Sequence, residues 1–395
     1  MAGAGVSLLG DWFNTVALYT LVQRLTGSPL AMGLVFSIKM AAFAFASPPA
    51  GLIVDRFDRR RLMIGTDLLR ALLVCGFLFV DDASSVWALY ALIGLQMAAG
   101  AAFYPARSAS IPNLVAPEEL MTANALGAAT WSTMLAIGAA LGGFATEWLG
   151  SDGVFVVDAA TYLVAAGCVW AASVPQTTDP PRPGNPFVIA AREIVAGWRY
   201  MRRRPDVGRI ALAKSSWGLC GGALVFMQTQ IGDQIAGGSL AVGLGVLFAA
   251  RGIGTGIGPA LARRWLPDQR RWPVQLGQLV AVSGILYVAV GIMPWTLWIV
   301  LPVVAAHACS GANWVMSAVL LQGRAEDAFR GRVFATEWLA LSAIEAATVM
   351  VCSAALETQL LTLRQAVLVF AIGLAATGGA WVLWIRSADR PAKDH

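Results

Sequence analysis

Apolar runs of about 20 residues or more alternate with short polar connections along almost the whole chain. They lie at roughly 3–25, 30–54, 62–80, 86–106, 122–147, 153–174, 207–231, 240–262, 273–293, 295–320, 333–356 and 363–386. At a rise of 1.5 Å per residue, a helix of about 20 residues crosses the ~30 Å hydrocarbon core of a bilayer. Only helices satisfy every backbone group there without closing a barrel. The pattern therefore predicts an all-α integral membrane protein of twelve transmembrane helices. The longest connection, 175–206, separates two sets of six, so the expected domains are 1–174, a linker at 175–206, and 207–395. The linker opens with "PQTTDPPRPGNP", which cannot be helical. It continues as "FVIAAREIVAGWRYMRRRP", whose apolar residues recur at helical spacing before a basic end. That predicts an amphipathic helix on the cytoplasmic surface.

Composition agrees with this reading. The 395 residues are 57% hydrophobic and 13% charged, with mean hydropathy +0.66. Soluble domains carry about 25% charged residues, so a soluble enzyme is excluded. The net charge of +5 is topological. Of 28 Lys and Arg, 22 fall in even-numbered connections and the C-terminal segment, and one, Arg364, in an odd-numbered connection. This asymmetry places both termini in the cytoplasm and leaves no nucleic-acid patch. Trp87, Trp148, Trp265, Trp272, Trp295, Trp298 and Trp384 fall near span ends, as an interfacial aromatic belt requires. Cys75, Cys168, Cys220, Cys309 and Cys352 lie in apolar segments without CxxC spacing and are expected to be small packing residues. With His307 and His395 the only histidines, no metal site or cofactor is expected. The first apolar run is too long for a signal-peptide core and lacks a small-residue cleavage site.

The two halves repeat. "LAMGL" (30–34) opens the second run and "LAVGL" (240–244) the eighth. Each run ends in a Gly/Pro stretch followed by arginines. Parallel six-helix repeats characterise one large transporter class.

Between the second and third runs lies "GLIVDRFDRRRLM" (51–63), in which six of thirteen residues are charged. A tight cytoplasmic turn needs small residues for close helix approach, expected of Gly51, and polar groups for exposed helix ends. Asp55 can pair with an arginine or a helix N-terminus. Arg56, Arg59, Arg60 and Arg61 fix orientation and can reach lipid phosphates. This stretch resembles the loop signature of the major facilitator superfamily, Gly-x-Leu-Ala-Asp-Arg-x-Gly-Arg-Arg. Gly51, Asp55, Arg56, Arg59 and Arg60 match in register, and Asp58 replaces the second glycine. The resemblance implies a conformational latch formed by Gly51, Asp55, Arg56, Arg59 and Arg60, and Glu337, near the cytoplasmic end of the eleventh run, is expected to serve it. The corresponding place after the eighth run has Ala262 instead of aspartate. "FYPARSASIPNLV" (103–115), "ELMTANAL" (119–126), "VVDAATYLVAA" (156–166), "GWRYMRRRP" (197–205) and "FRGRVFA" (329–335) resemble the macrolide-efflux and enterobactin-exporter branch, which also includes lysophospholipid transporters. Two features depart from the superfamily's proton-coupled exporters. Gly138, Gly142 and Gly143 match the fifth-span antiporter motif, but Ala139 replaces its proline. Gln96 stands where many have an arginine.

Charge inside hydrocarbon costs ~3 kcal/mol or more and normally faces a bundle interior or wet cavity. Lys39 lies nine residues beyond Leu30 and Glu345 eleven before Leu356, each about 15 Å deep. In the family fold their spans are neighbours, so the two could pair. Arg251 lies at similar depth, and Asp11 closer to the cytoplasm. Asp11 and Glu345 are the candidate protonation or cation sites, against simple structural pairing. Lys39 and Arg251 are candidates for a structural or gating role or for neutralising an anionic headgroup, and Lys214 is a further substrate or coupling candidate. Asp67 and Arg70, at i and i+3, predict a local ion pair. Asp158 is expected to be structural, near the outer surface. Trp131, Trp217 and Trp314 are candidate walls for a large apolar substrate, with Asn14, His307 and Asn313 as polar groups, although any one Trp can equally be packing.

No GxxxxGK[ST] loop occurs, so ATP is not the expected energy source. "GIGTGIG" (252–258) lies inside a span with no preceding strand and predicts close helix packing. The expected function is export of a bulky amphipathic compound (a drug, macrolide or siderophore) by rocking-bundle alternating access, with proton antiport. The alternatives are a lysophospholipid carrier and a non-transporting membrane sensor or assembly partner. The expected partners are the substrate, protons and membrane lipids, with the chain acting as a monomer in the inner membrane.

Overall fold

The computed structural model describes residues 2–54, 56–174, 184–235 and 237–388. Asp55, most of the Pro-rich stretch (175–183) and the C-terminal Arg390, Lys393 and His395 lie outside the described residues. All regular structure among the described residues is helical. The long helices are α1 (Ala2–Thr26), α2 (Pro29–Val54), α3 (Arg59–Gly76), α4 (Val86–Ser110) and α5 (Leu120–Ala171). After them come α6 (Pro186–Arg203), the short α7 (Pro205–Ala211), α8 (Ala213–Ile235) and α9 (Leu240–Trp265). The chain ends with α10 (Trp272–Ile292), α11 (Val300–Arg324), α12 (Asp327–Glu357) and α13 (Leu363–Ala388). Among the described residues, ten helical stretches are long and apolar enough to cross a membrane. The predicted first run is α1, and the fifth and sixth share α5. Within α5 the helix breaks at Gly150, whose φ of 71° and ψ of 173° only glycine adopts without strain. "LAMGL" and "LAVGL" both open helices, α2 and α9.

The helices are inverted relative to those of a soluble protein. On α3, Thr66, Asp67, Arg70 and Val74 are buried, while Leu68, Leu69 and Leu72 are exposed on the other side. Apolar groups outward and charge inward is the arrangement hydrocarbon solvent demands. Trp87, Trp148, Trp265 and Trp298 are likewise exposed near helix ends.

Contacts divide the chain into two compact units, Met1–Val195 with Thr229–Ala249, and Ala196–Gln228 with Ala250–His395. In the first, α1 packs along both arms of α5. A Cβ on Gly138 would sit 2.9 Å from Trp12 Cβ, and one on Gly142 would sit 2.8 Å from Phe13 Cα. Gly10 abuts Asp158 and Thr161 of the second arm. Gly143 meets the α9 backbone, where a Cβ would lie 2.6 Å from the Ala241 carbonyl. That close approach helps group 229–249 with the first unit. In the second unit, Gly277, Gly284 and Gly291 recur every seven residues on α10 and receive α13. Gly254 and Gly258 of the "GIGTGIG" stretch press on α11, with His307 Cβ 2.8 Å from a Cβ built on Gly254. Close helix packing is thus what those glycines provide.

The predicted linker helix is α6. At ~100° per residue it has three faces. Ala190, Gly197, Tyr200 and Met201 are buried. Phe187, Val195 and Trp198 form an exposed apolar face, with Arg192, Arg199 and Arg203 on the exposed flank beyond it. Tyr200 stacks on Phe329 at 4.5 Å and 7°.

Two expectations need correction. Among the described residues nothing lies within 4 Å of a Cβ at Gly51, so they make no close helix approach there. Arginines order that turn by reaching carbonyls at helix ends. Arg59 donates to the Ala109 carbonyl at 2.7 Å, in the last turn of α4. Arg60 donates to Val169 at 3.3 Å and to Trp170, in the last turn of α5. Arg56 donates to Gly184 at 2.7 Å, and Asp58 caps α3 by accepting from Arg61 N at 2.7 Å. The second correction concerns cysteine. Cys352 is buried, but Cys75 and Cys168 are exposed, because a thiol is apolar enough for hydrocarbon to solvate it.

Filling a helix crossing should be resisted. We expect Gly284→Val, whose Cβ meets Ala375 N and the Ala371 carbonyl of α13, to destabilise by about 1–3 kcal/mol. Gly379→Ala, with nothing within 4 Å, should leave the melting temperature in detergent unchanged or raised. Equal effects of the two substitutions would show that these crossings are not tight.

Candidate functional site

Each unit buries a polar cluster. In the first, Arg70 is the centre, with 2% of its side chain exposed. It pairs with Asp67 one turn earlier on α3, as the i, i+3 spacing predicts. Its other nitrogen lies 3.9 Å from Asp11 Oδ2 on α1. The guanidinium carbon sits 4.4 Å from the Tyr162 ring centroid and 4.8 Å from that of Phe103, close enough for cation–π attraction. Tyr162 donates to Asp11 Oδ1 and accepts from Gln96 Nε2 at 3.1 Å. Gln96 thus orients a tyrosine that touches the α1 carboxylate. Asn14, one turn beyond Asp11, donates to Asp158 Oδ2 at 2.7 Å. Lys39 donates to Thr15 Oγ1 at 2.8 Å, and Thr15 donates to the Asp11 carbonyl at 2.7 Å.

Asp11 is 20% exposed, whereas Asp67 and Asp158 are wholly buried. Beside it Trp12 meets Trp131 edge-on at 6.1 Å and Phe248 at 6.3 Å. Trp131 is 39% exposed. A carboxylate with one reachable edge next to an aromatic wall can receive a proton or a cation.

In the second unit, His307 is buried and its Nε2 meets Tyr287 OH at 2.8 Å and Gln228 Nε2 at 3.2 Å. Gln228 also donates to Tyr287 OH at 2.7 Å. Trp217 stands edge-on to His307 at 6.3 Å. Arg251 lies within electrostatic reach of Tyr287, His307 and Glu345. Glu345 is half-buried against α8, where Cβ atoms on Gly218 and Gly222 would lie 3.3 Å and 3.2 Å from its Cγ. Deeper in the same unit, Lys214 and Glu337 form an ion pair at 3.1 Å with 3% and 1% exposure. The Lys214 ammonium lies 4.6 Å from the Trp314 ring centroid, and Trp314 meets Trp338 at 5.3 Å. Glu337, expected to serve the latch, thus engages Lys214. Asn313 donates to the Leu276 carbonyl at 3.1 Å and ties α11 to α10.

Asp11 and Asn14 therefore share one cluster with Lys39, and His307, Trp217, Arg251 and Glu345 share another. Sequence reasoning missed Tyr162, Tyr287 and the contact of Asp158 with Asn14. Asp158, Thr161 and Tyr162 do occupy one helix face, as do Asp11, Asn14 and Thr15, and that signal was available. Among the described residues no cluster of three or more His, Cys, Asp or Glu could hold a metal.

The profile described as Major Facilitator Superfamily matches residues 1–344. The chain belongs to the major facilitator superfamily. It is a multi-pass membrane protein. Among its relatives in the superfamily, an uncharacterized transporter of Bacillus subtilis, YfiS, is 27% identical over 60% of this chain and 54% of its own length. A second, y4rN of Sinorhizobium fredii, is matched over 60% of its length, so the alignments span little more than half of these relatives. The putative bacilysin exporter BacE of Bacillus amyloliquefaciens is 24% identical over 84% of this chain and 81% of its own. Macrolide efflux protein A of Streptococcus pyogenes is 24% identical over 53% and 52%. The crystal structure of a bacterial homologue of the human lysosomal transporter Spinster, inward-facing and unoccupied, superposes with a TM-score of 0.75 at 15% identity. It covers 100% of this chain and 97% of that one, and so shares the superfamily fold.

Removing one member of a buried ion pair strands its partner, at about 3–5 kcal/mol. Arg70→Met, which leaves Asp67 and Asp11 with no guanidinium, should lower thermal stability in detergent by that order. Asp67→Asn retains an acceptor and should cost less. A melting temperature for Arg70→Met equal to wild type would mean that Arg70 is not the centre of the cluster.

Proposed function

We propose that this chain is a secondary transporter of twelve transmembrane helices, arranged as two parallel six-helix repeats over 1–174 and 207–395 with 175–206 as linker. It resides in the inner membrane with both termini cytoplasmic and acts as a monomer. It exports a bulky amphipathic compound by alternating access of the two bundles, driven by proton antiport. The observation that carries this reading is a split among the ionisable residues within the helices. Asp67–Arg70 and Lys214–Glu337 are closed, buried pairs. Asp11, Lys39, Arg251 and Glu345 stay partly exposed on otherwise apolar helices. Charge kept partly open at such a position is the mark of a transport path.

Asp11 and Glu345 are assigned to proton or cation binding. Trp131, Trp217 and Trp314 offer aromatic surface to the substrate, and Asn14, His307 and Asn313 stand behind them as polar positioning groups. Asp55 with Gly51, Arg56, Arg59 and Arg60 is assigned to the latch. The two relatives named as exporters support the direction of transport. A second reading, a lysophospholipid carrier, is favoured by Lys39 and Arg251, partly exposed cations of the right sign for a phosphate.

The test is proton release from acid-loaded inverted vesicles, challenged with a macrolide, a lipophilic cation, a catecholate siderophore or a lysophospholipid. We expect substrate-dependent release in the wild type and its loss, by about tenfold or more for a transferring group, in Asp11→Asn or Glu345→Gln. Unaltered proton movement with every compound, together with passage of labelled lysophospholipid, would replace the antiporter by the lipid carrier.

A further inference from the structure

The first unit's cluster holds three carboxyl groups, Asp11, Asp67 and Asp158, and two cations, Arg70 and Lys39. Arg70 is committed to Asp67 and Asp11. Lys39 donates to Thr15 and lies within electrostatic reach of both Asp11 and Asp158. Asp158, wholly buried, has no cation at ion-pair distance among the described residues. Asp11 and Arg70 face it from α1 and α3, and Asn14 is its contact on α1. A buried carboxylate without a cation in contact carries a desolvation penalty of several kcal/mol, which a bound proton removes.

The hydrogen bonds point the same way. Asn14 Nδ2 donates to Oδ2 at 2.7 Å. Thr161 has one hydroxyl hydrogen, which it gives to the Asp158 backbone carbonyl at 2.7 Å. Its oxygen also lies 3.3 Å from Asp158 Oδ1. Thr161 is the donor in either contact, and when its hydrogen is given to the backbone carbonyl it leaves Oδ1 without a donor. Asn14 occupies Oδ2, so Oδ1 is the oxygen open to a proton. Gly10, where any side chain would strike Asp158 Oδ1 and Thr161 Oγ1, leaves the room for this arrangement.

We infer that Asp158 stores a proton on Oδ1, the oxygen that faces the Thr161 hydroxyl while the Asn14 amide holds Oδ2, and that this is the proton the transporter exchanges. With it the five groups sum to zero charge. Its departure breaks the Oδ1–H bond, leaves the electron pair on Oδ1 and moves the cluster to −1. Asp11 is the partly exposed carboxylate through which the proton leaves. The storage site stands on geometry alone, while its exchange rests on the antiport reading above.

The test combines infrared spectroscopy of reconstituted protein near neutral pH with proton release from vesicles, using erythromycin, a lipophilic cation, a catecholate siderophore and a lysophospholipid as probes. The wild type should show a buried protonated-carboxyl stretch that shifts in deuterated water. Asp158→Asn, which keeps an acceptor for Asn14 Nδ2, should lose that band and retain the wild-type melting temperature. Asp158→Glu should keep the band at a shifted frequency. Asp158→Asn should also lose at least tenfold of whatever substrate-dependent release the wild type shows. A spectrum unchanged by Asp158→Asn overturns the storage site. A band lost with proton release intact overturns its role in exchange. If the wild type releases no protons with any probe, the antiport reading and the exchange step fall together, and the band still decides where the proton is stored.

Discussion

A guanidinium sealed inside a helix bundle has no water to turn to, so the bundle around it must supply both charge and shape. Arg70 obtains charge from Asp67 and Asp11 and two ring faces from Phe103 and Tyr162. Those partners come from four helices, α1, α3, α4 and the second arm of α5. One side chain thereby fixes the rotation of each of these helices about its own axis. Asp11 and Asn14 then present their side chains on one turn of α1, towards Tyr162 and Asp158. Without that rotation fixed, neither the aromatic group around Trp12 nor the partly open edge of Asp11 would have a defined place.

The glycines set the distances at which such side chains meet. Hydrocarbon gives helices no hydrophobic reason to associate, so close backbone approach must supply the attraction. Gly138 and Gly142 bring α1 onto α5, and Gly254 and Gly258 bring α9 onto α11. The second crossing seats the His307 backbone against α9, which leaves the imidazole to Tyr287 and Gln228. Packing and chemistry are thus coupled at the scale of single helix turns.

The sequence made the helical runs legible because their period and length are local properties. The Asp67–Arg70 pair was readable for the same reason, as were the packing glycines of 252–258. What could not be read was contact across long separations. Asn14 meets Asp158 over 144 residues, and Gln96 meets Tyr162 over 66. No periodicity encodes which face of one helix turns towards which face of another. Counting along a helix gives the depth of Asp158 and says nothing of which neighbour it faces. Gly51 misled for a related reason. A glycine in a tight turn suggested close approach, whereas the turn is ordered by arginines that reach carbonyls at the ends of α4 and α5.

The break in α5 is a single residue. Gly150 reverses the backbone with no loop on either side, and the two arms it joins both clasp α1. A joint of that kind has no slack. An epitope or reporter inserted there, as is commonly done to map which side of a membrane a segment faces, would push apart the two arms that hold α1 and would read out a damaged protein. The short polar turn around Asp82, capped by its own side chain through Ser84 and Ser85 and exposed from Asp81 to Ser84, is a position on the first unit where such a reporter could be carried without cost to the fold.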